Sequence, residues 1–255
     1  MILGAGLGTR LRPLFGDLPK ILAPVLGVPM LERLLAWLER GGVAGFALNT
    51  HHRAEAVRDH VTARGRLGPV PRLFHEPELL GTGGALVNAS PFWGEDPLLV
   101  WNGDILCGLE PSLLLQAHQS SGAEATLAVQ ARPGDSHLLV DRAGRLCGID
   151  SARRGLKRIL RKPEGDLLPR AFNGISILAP SLRTCFPESG AFDLIDALLA
   201  ALAEGRAIAT HDLGSAPYGT TGSPGQLEAL EALLSGNPDL LAGWTPACRE
   251  AGGAG

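Results

Sequence analysis

The chain alternates between short apolar runs and longer stretches whose apolar residues recur at helical spacing. At 29–41 (PMLERLLAWLERG), Leu31, Leu34, Leu35 and Leu38 follow the helical period and the run closes on glycine, which predicts an amphipathic helix. The next stretch, AGFALNT at 44–50, reads as a buried strand, and RAEAVRDHVTAR at 53–64 as a polar helix. A short strand near 71–75, a helix from about residue 84, the strand PLLVWN at 97–102, a helix at 111–121 and the strand EATLAVQA at 124–131 continue the pattern. Strands alternating with helices predict a Rossmann-like, three-layer α/β/α fold with a mostly parallel sheet. The second half changes character. HLLVDRAGRLCGI at 137–149 predicts a hairpin turning at Arg142–Gly144, FNGISIL at 172–178 a further strand, and FDLIDALLAALAEG at 192–205 a helix. Antiparallel strands are therefore expected as additions to one end of the sheet. Residues 1–235 are assigned to a single domain, and 236–255, ending in ACREAGGAG, to a partly disordered C-terminal tail.

Composition narrows the setting. At 255 residues and 45% hydrophobic, the chain can bury one substantial core. A formal net charge of −3, with no basic run interleaved with aromatics, argues against nucleic acid as a partner. No apolar run reaches transmembrane length and no signal peptide or lipidation motif is read, so a membrane is not expected either. Cys107, Cys147, Cys185 and Cys248 lie far apart without C-x-x-C spacing; reduced thiols in a cytoplasm fit better than a zinc site or a disulfide framework.

The chemistry concentrates at the start, MILGAGLGTRLRPLFGDLPK. A few apolar residues run into Gly4, Gly6 and Gly8, and glycines after a strand let the backbone approach an anion with its N–H groups free. The dinucleotide-binding pattern G-x-G-x-x-G fails because Thr9 holds its last position, and the P-loop string G-x-x-x-x-G-K-[ST] does not occur. What remains is G-x-G-x-x-T-R followed ten residues later by P-K. Amides, the Arg10 guanidinium and the Lys20 ammonium can converge there on a triphosphate. Of the 23 basic residues only Lys20, Lys157 and Lys162 are lysine. A compact ammonium suits phosphate oxygens; a solvated loop lysine is the alternative.

GAGLGTRLRPL…LPKILAPVLGVPMLE resembles the signature of the sugar-1-phosphate nucleotidyltransferases. LNTHHRAEAVRDHV (48–61), HEPELLGTGGAL (75–86), WNGDIL (101–106), FNGISIL (172–178), FDLIDALL (192–199) and YGTTGSPGQLEAL (218–230) extend the likeness to about residue 235. The resemblance implies transfer of a nucleotidyl group from a nucleoside triphosphate to a sugar 1-phosphate, giving a nucleotide sugar and pyrophosphate, with Mg2+ as cofactor. It further implies that Gly4, Ala5, Gly6, Leu7, Gly8 and Thr9 cradle the phosphates, that Arg10 clamps the β- and γ-phosphates, and that Lys20 sits between the two reacting phosphates. Gly81, Thr82 and Gly83 are expected against the base, Asn102 beside the substrate, Asp104 on the metal, and Asn173 and Gly174 at the sugar. GTP with a mannose- or heptose-type phosphate is the first substrate pair implied, UTP with an amino-sugar phosphate the second. A weakened paralogue binding nucleotide in a regulatory or assembly role is the alternative from another class.

Several positions depart from the family's pattern. Arg161 replaces the glutamate of an E-K-P sugar-site string, which leaves Lys162 a weaker candidate. The usual aromatic-x-D-[IV]-G-T falls on Tyr218–Ser223, with Thr220 in the place of a metal-binding aspartate and Asp212 as a substitute ligand if its loop folds back. The pattern normally begins two or three residues earlier, so the start of the chain is expected to be truncated or misassigned. Glu76 reads as supporting structure, His51 and His52 as polar residues opening a helix, and Asp193 and Asp196 as favouring a helix dipole. No G-x-S-x-G elbow supports a hydrolase.

Overall fold

The computed structural model describes residues 1–64 and 69–246. Cys248 and the last residues of the expected tail lie outside the described residues. The chain forms two compact units interleaved in sequence: one from Ile2–Pro77, Gly103–Gly108 and the segment from Pro217, the other from Met1, Glu78–Asn102 and Leu109–Ala216. The architecture is the expected Rossmann-like α/β class, with parallel strands, flanking helices and antiparallel additions.

In the unit that carries the glycine loop, strands Ile2–Leu3, Ala47–Thr50 and Arg72–His75 pair in parallel, with Leu3 opposite Asn49 and Thr50 opposite His75. The predicted helix at 29–41 is Met30–Arg40, and the four leucines that set its period are buried. Helix Ala54–Arg64 packs through Val57 and Val61. Its Arg64 is buried between Glu32 at 2.7 Å and Glu39 at 2.9 Å. Part of the segment assigned to a tail is built into this unit. Helix Pro238–Gly243 brings Trp244 flat against Trp37, with ring centroids 4.7 Å apart. The buried Arg33 guanidinium donates to Val25 O at 2.9 and 2.7 Å and to Trp244 O at 3.3 Å. The hairpin of Pro24–Val25 and Val28–Pro29, just after Lys20, is thereby tied to the C-terminal helices.

In the other unit the long strand Leu168–Leu178 pairs antiparallel with Leu98–Asn102, Ala125–Gln130 and Ser136–Val140. It begins earlier than predicted because Leu168 and Pro169 are exposed and a proline argues against a strand interior. A register shift between Phe172 and Ser176 encloses Gly174, whose φ of +71° few other residues adopt. The predicted hairpin is present as Ser136–Val140 and Leu146–Ser151, with Leu156–Ile159 added at its edge. Helix Leu194–Ala203 is capped by Asp193, whose carboxylate accepts from Ile195 N at 2.8 Å. No helix among the described residues is long and apolar enough to cross a membrane.

Candidate active site

The glycine loop leaves the sheet after Leu3 because the next N–H, that of Gly4, turns to a side chain: it donates to Asn49 Oδ1 at 2.7 Å. Beyond it, the N–H groups of Ala5, Gly6, Leu7, Gly8 and Thr9 have no hydrogen-bond partner among the described residues. Five successive open amides form a concentrated donor set for an anion. Gly8, at φ +60°, brings the loop against Lys20: a Cβ there would lie 3.0 Å from Lys20 Cβ. The short helix Thr9–Leu11 follows, and Arg10 projects from it, exposed and without a described partner.

Lys20 Nζ donates to Asp104 Oδ2 at 2.5 Å. Asp104 is placed by backbone contacts on both sides. Gly103 N donates to Leu3 O at 2.8 Å, an approach that only glycine permits, since a Cβ would come 2.7 Å from that oxygen. Thr221 N donates to Asp104 O at 2.9 Å, and strand Tyr218–Thr220 pairs with Ile105–Cys107 so that Thr220 faces Ile105. Thr220, where the resemblance implies a second carboxylate, thus lies on the strand whose pairing with Ile105 runs on to the Thr221–Asp104 backbone bond. The Thr221 hydroxyl, on the next residue, is buried without a hydrogen-bond partner among the described residues. No cluster of three or more His, Cys, Asp or Glu side chains among the described residues could hold a metal by itself. One hard carboxylate oxygen still fits Mg2+, which commonly uses one or two carboxylates and completes its shell with substrate phosphates and water.

In the other unit, the segment read as a base site has a packing task of its own. Helix Gly81–Asn88 starts about three residues before the predicted position, and its glycine run forms the first turn. Gly83 and Gly84 N–H donate to Phe192 O at 3.0 and 3.4 Å, Leu194 N donates to Thr82 Oγ1 at 2.8 Å, and a Cβ on Gly83 would lie 2.2 Å from the Phe192 ring. The amides of Gly81 and Thr82 have no partner among the described residues. Asn102 ends its strand half-buried. Asn173 is fully buried; its amide donates to Gln130 Oε1 at 2.8 Å, and its oxygen accepts from Arg132 Nε at 3.4 Å.

Asp212, read as a substitute metal ligand, has other partners in its own unit. It accepts from Arg170 Nε at 2.7 Å and from Gly214 N at 2.9 Å. Burial pushes its carboxyl up, but these hydrogen bonds outweigh that and hold it below the ordinary aspartate value. His51 Nδ1 bonds Glu76 O at 2.8 Å and His52 Nε2 lies 2.8 Å from Asp17, so neither belongs to a metal set. Sequence reasoning missed Asn49. It lies inside the quoted LNTHH string, yet only the tertiary contact to Gly4 gives it a task.

Residues 1–137 match the nucleotidyl transferase family. The chain is 30% identical over 248 residues to the N-acetylmuramate alpha-1-phosphate uridylyltransferase of Caulobacter vibrioides, covering 92% of this chain and 96% of that one. It is 34% identical over 135 residues to the mannose-1-phosphate guanylyltransferase of Mycobacterium tuberculosis, covering 53% of this chain and 37% of that one. The fold matches the inositol-1-phosphate CTP transferase of T. maritima with a TM-score of 0.74 at 20% identity, over 92% of this chain and 93% of that chain. The chain belongs to the sugar-1-phosphate nucleotidyltransferase family. Its reaction is transfer of a nucleotidyl group from a nucleoside triphosphate to a sugar 1-phosphate, and no observation favours a regulatory paralogue.

Proposed function

We propose that the loop from Gly4 to Arg10, with Lys20 and Asp104, is the phosphate site of this transfer. The observation that carries the reading is the Lys20–Asp104 pair at 2.5 Å, in the same unit as the five open amides. A sugar-phosphate oxygen attacks the α-phosphorus in line; the new P–O bond forms as the bond to the β-phosphate oxygen breaks, and pyrophosphate departs with that electron pair. The attacking oxygen is already anionic, so no general base is needed, and catalysis rests on positioning and charge stabilisation. The open amides and Arg10 hold the β- and γ-phosphates. Lys20 offers its ammonium to the oxygens on which charge is shared.

Asp104 is the residue that would hold Mg2+, assisted at most by the neutral Thr220 hydroxyl. A bound divalent ion supplies charge neutralisation and orientation of the triphosphate. For the base, the amides of Gly81 and Thr82 are the remaining main-chain donors, while Gly83 supports them by its contact with Phe192. Asn102, Asn173 and Gly174 are assigned to the sugar side, where Gln130 and Arg132 fix the amide of Asn173 in one orientation.

The full-length likeness to a uridylyltransferase supports UTP with an amino-sugar phosphate over GTP with a mannose- or heptose-type phosphate, which the resemblance put first. A nucleoside triphosphate substrate points to the cytoplasm as the working compartment. The test is pyrophosphate release with a panel of four triphosphates against a panel of sugar 1-phosphates. Turnover with one pair well above the rest supports the reading, and no release from any pair at any magnesium concentration overturns it.

A further inference from the structure

Asn49, on the middle strand of the parallel set, connects that strand to the glycine loop. The ladder between Ile2–Leu3 and Leu48–Asn49 stops at Leu3, and the Asn49 side chain takes over as acceptor for the Gly4 N–H. The orientation of this buried amide follows from chemistry. Gly4 N–H can only donate, so the amide oxygen faces it, and the amide nitrogen then faces Glu76 Oε1 at 2.7 Å. Glu76 is 1% exposed and anchored in turn, its N–H donating to Thr50 O at 2.8 Å and its carbonyl bonded by His51 Nδ1 at 2.8 Å. Gly4 packs closely against this strand: a Cβ there would come 2.6 Å from Leu48 Cδ1 and 3.3 Å from Asn49 O.

We infer that Asn49, held by Glu76, is a positioning residue for the phosphate loop, setting where the five open amides begin and in which direction they point. This rests on the phosphate-site reading above. An acceptor for Gly4 and a donor for Glu76 are both required at position 49, and of the side chains of this size only an amide supplies both. A shift of the loop by about 1 Å is enough to cost roughly a hundredfold in a transfer that depends on alignment.

The test compares variants by calorimetric binding of inorganic tripolyphosphate, a probe that needs no knowledge of the base, together with KM for each substrate and the thermal midpoint. Asn49→Leu removes both bonds and is expected to weaken tripolyphosphate by about tenfold or more. It should raise KM for the triphosphate while leaving KM for the sugar phosphate unmoved. Asn49→Asp keeps the acceptor for Gly4 but sets two carboxylates face to face, and should behave similarly. Glu76→Gln preserves an oxygen for the Asn49 amide and is expected to stay within about twofold of wild type. The double change Asn49→Asp with Glu76→Gln reverses donor and acceptor and should recover most of the loss; it keeps the comparison available where Asn49→Leu does not fold. A folded Asn49→Leu or Asn49→Asp that binds tripolyphosphate like wild type, with only a lower midpoint, overturns the inference alone. Wild-type protein that neither binds tripolyphosphate nor turns over overturns the phosphate-site reading with it.

Discussion

Lys20 Nζ and Asp104 Oδ2, 84 residues apart in sequence, meet at 2.5 Å. The pair joins the segment after the glycine loop to the one that follows strand Leu98–Asn102, and it combines the two charges a phosphoryl transfer draws on: an ammonium for oxygen anions and a carboxylate for a cation. In each case the backbone does the placing, through Gly8 against Lys20 and through Gly103 and Thr221 around Asp104.

Arg10 fills no core and has no described partner. Arg10→Ala is therefore expected to lower turnover by about two orders of magnitude or more while leaving the thermal midpoint unchanged. Steady-state pyrophosphate release beside a melting curve checks both halves. A fall in midpoint that parallels the fall in rate would assign Arg10 to the fold.

Thr220 pairs with Ile105, the residue after Asp104, and carries a neutral hydroxyl where the family's pattern has a carboxylate. Magnesium keeps fewer negative ligands there, so wild-type activity is expected to survive but to need unusually high Mg2+. Thr220→Asp should lower the half-saturating Mg2+ concentration, read from rate against total metal at fixed substrates. An unchanged requirement in the folded variant would mean that position 220 does not face the metal.

Trp244 is fully buried against Trp37, and Arg33 binds its carbonyl. Trp244→Ala is expected to cost about 3–5 kcal/mol, the range for truncating a buried tryptophan. Urea unfolding measures it. A loss below about 1 kcal/mol would show that the C-terminal helices add little to this unit.

Asp141 lies buried at the turn of the hairpin. Burial opposes its charge, but hydrogen bonds from Arg145 and the Glu164 N–H hold its carboxyl down from the ordinary 3.8 to about 2. With the folded value below the unfolded one, this stabilisation is full above the unfolded value and is lost as pH falls toward about 2. The midpoint difference between wild type and Asp141→Asn should be largest above about pH 5 and shrink as acid is added. A difference independent of pH would contradict the assignment.

Elements with one clear period were legible in the sequence. Met30–Arg40 has its leucines on one face, and Ala125–Gln130 is a mostly apolar run that is buried throughout. Elements stabilised by distant contacts were not. Leu156–Ile159 carries Lys157 and Arg158 and is a strand because Leu146–Ser151 pairs with it. Helix Pro238–Gly243 is too short to show a period and is held by Trp37 and Arg33. At the proposed site, the loop glycines, Lys20 and Asp104 stand out in the sequence because residue type and spacing are constrained together. LGTGG was read for its glycines, whose close approach to Phe192 no local pattern reveals.

In the proposed mechanism the Lys20 ammonium acts on phosphate oxygens. Turnover of Lys20→Ala at saturating triphosphate, sugar phosphate and Mg2+, measured on protein whose melting curve shows it folded, tests this most directly. The predicted result is a fall of about two to three orders of magnitude, in the range for losing one preorganised stabiliser of transition-state charge. Near-normal turnover in the folded variant would contradict the account.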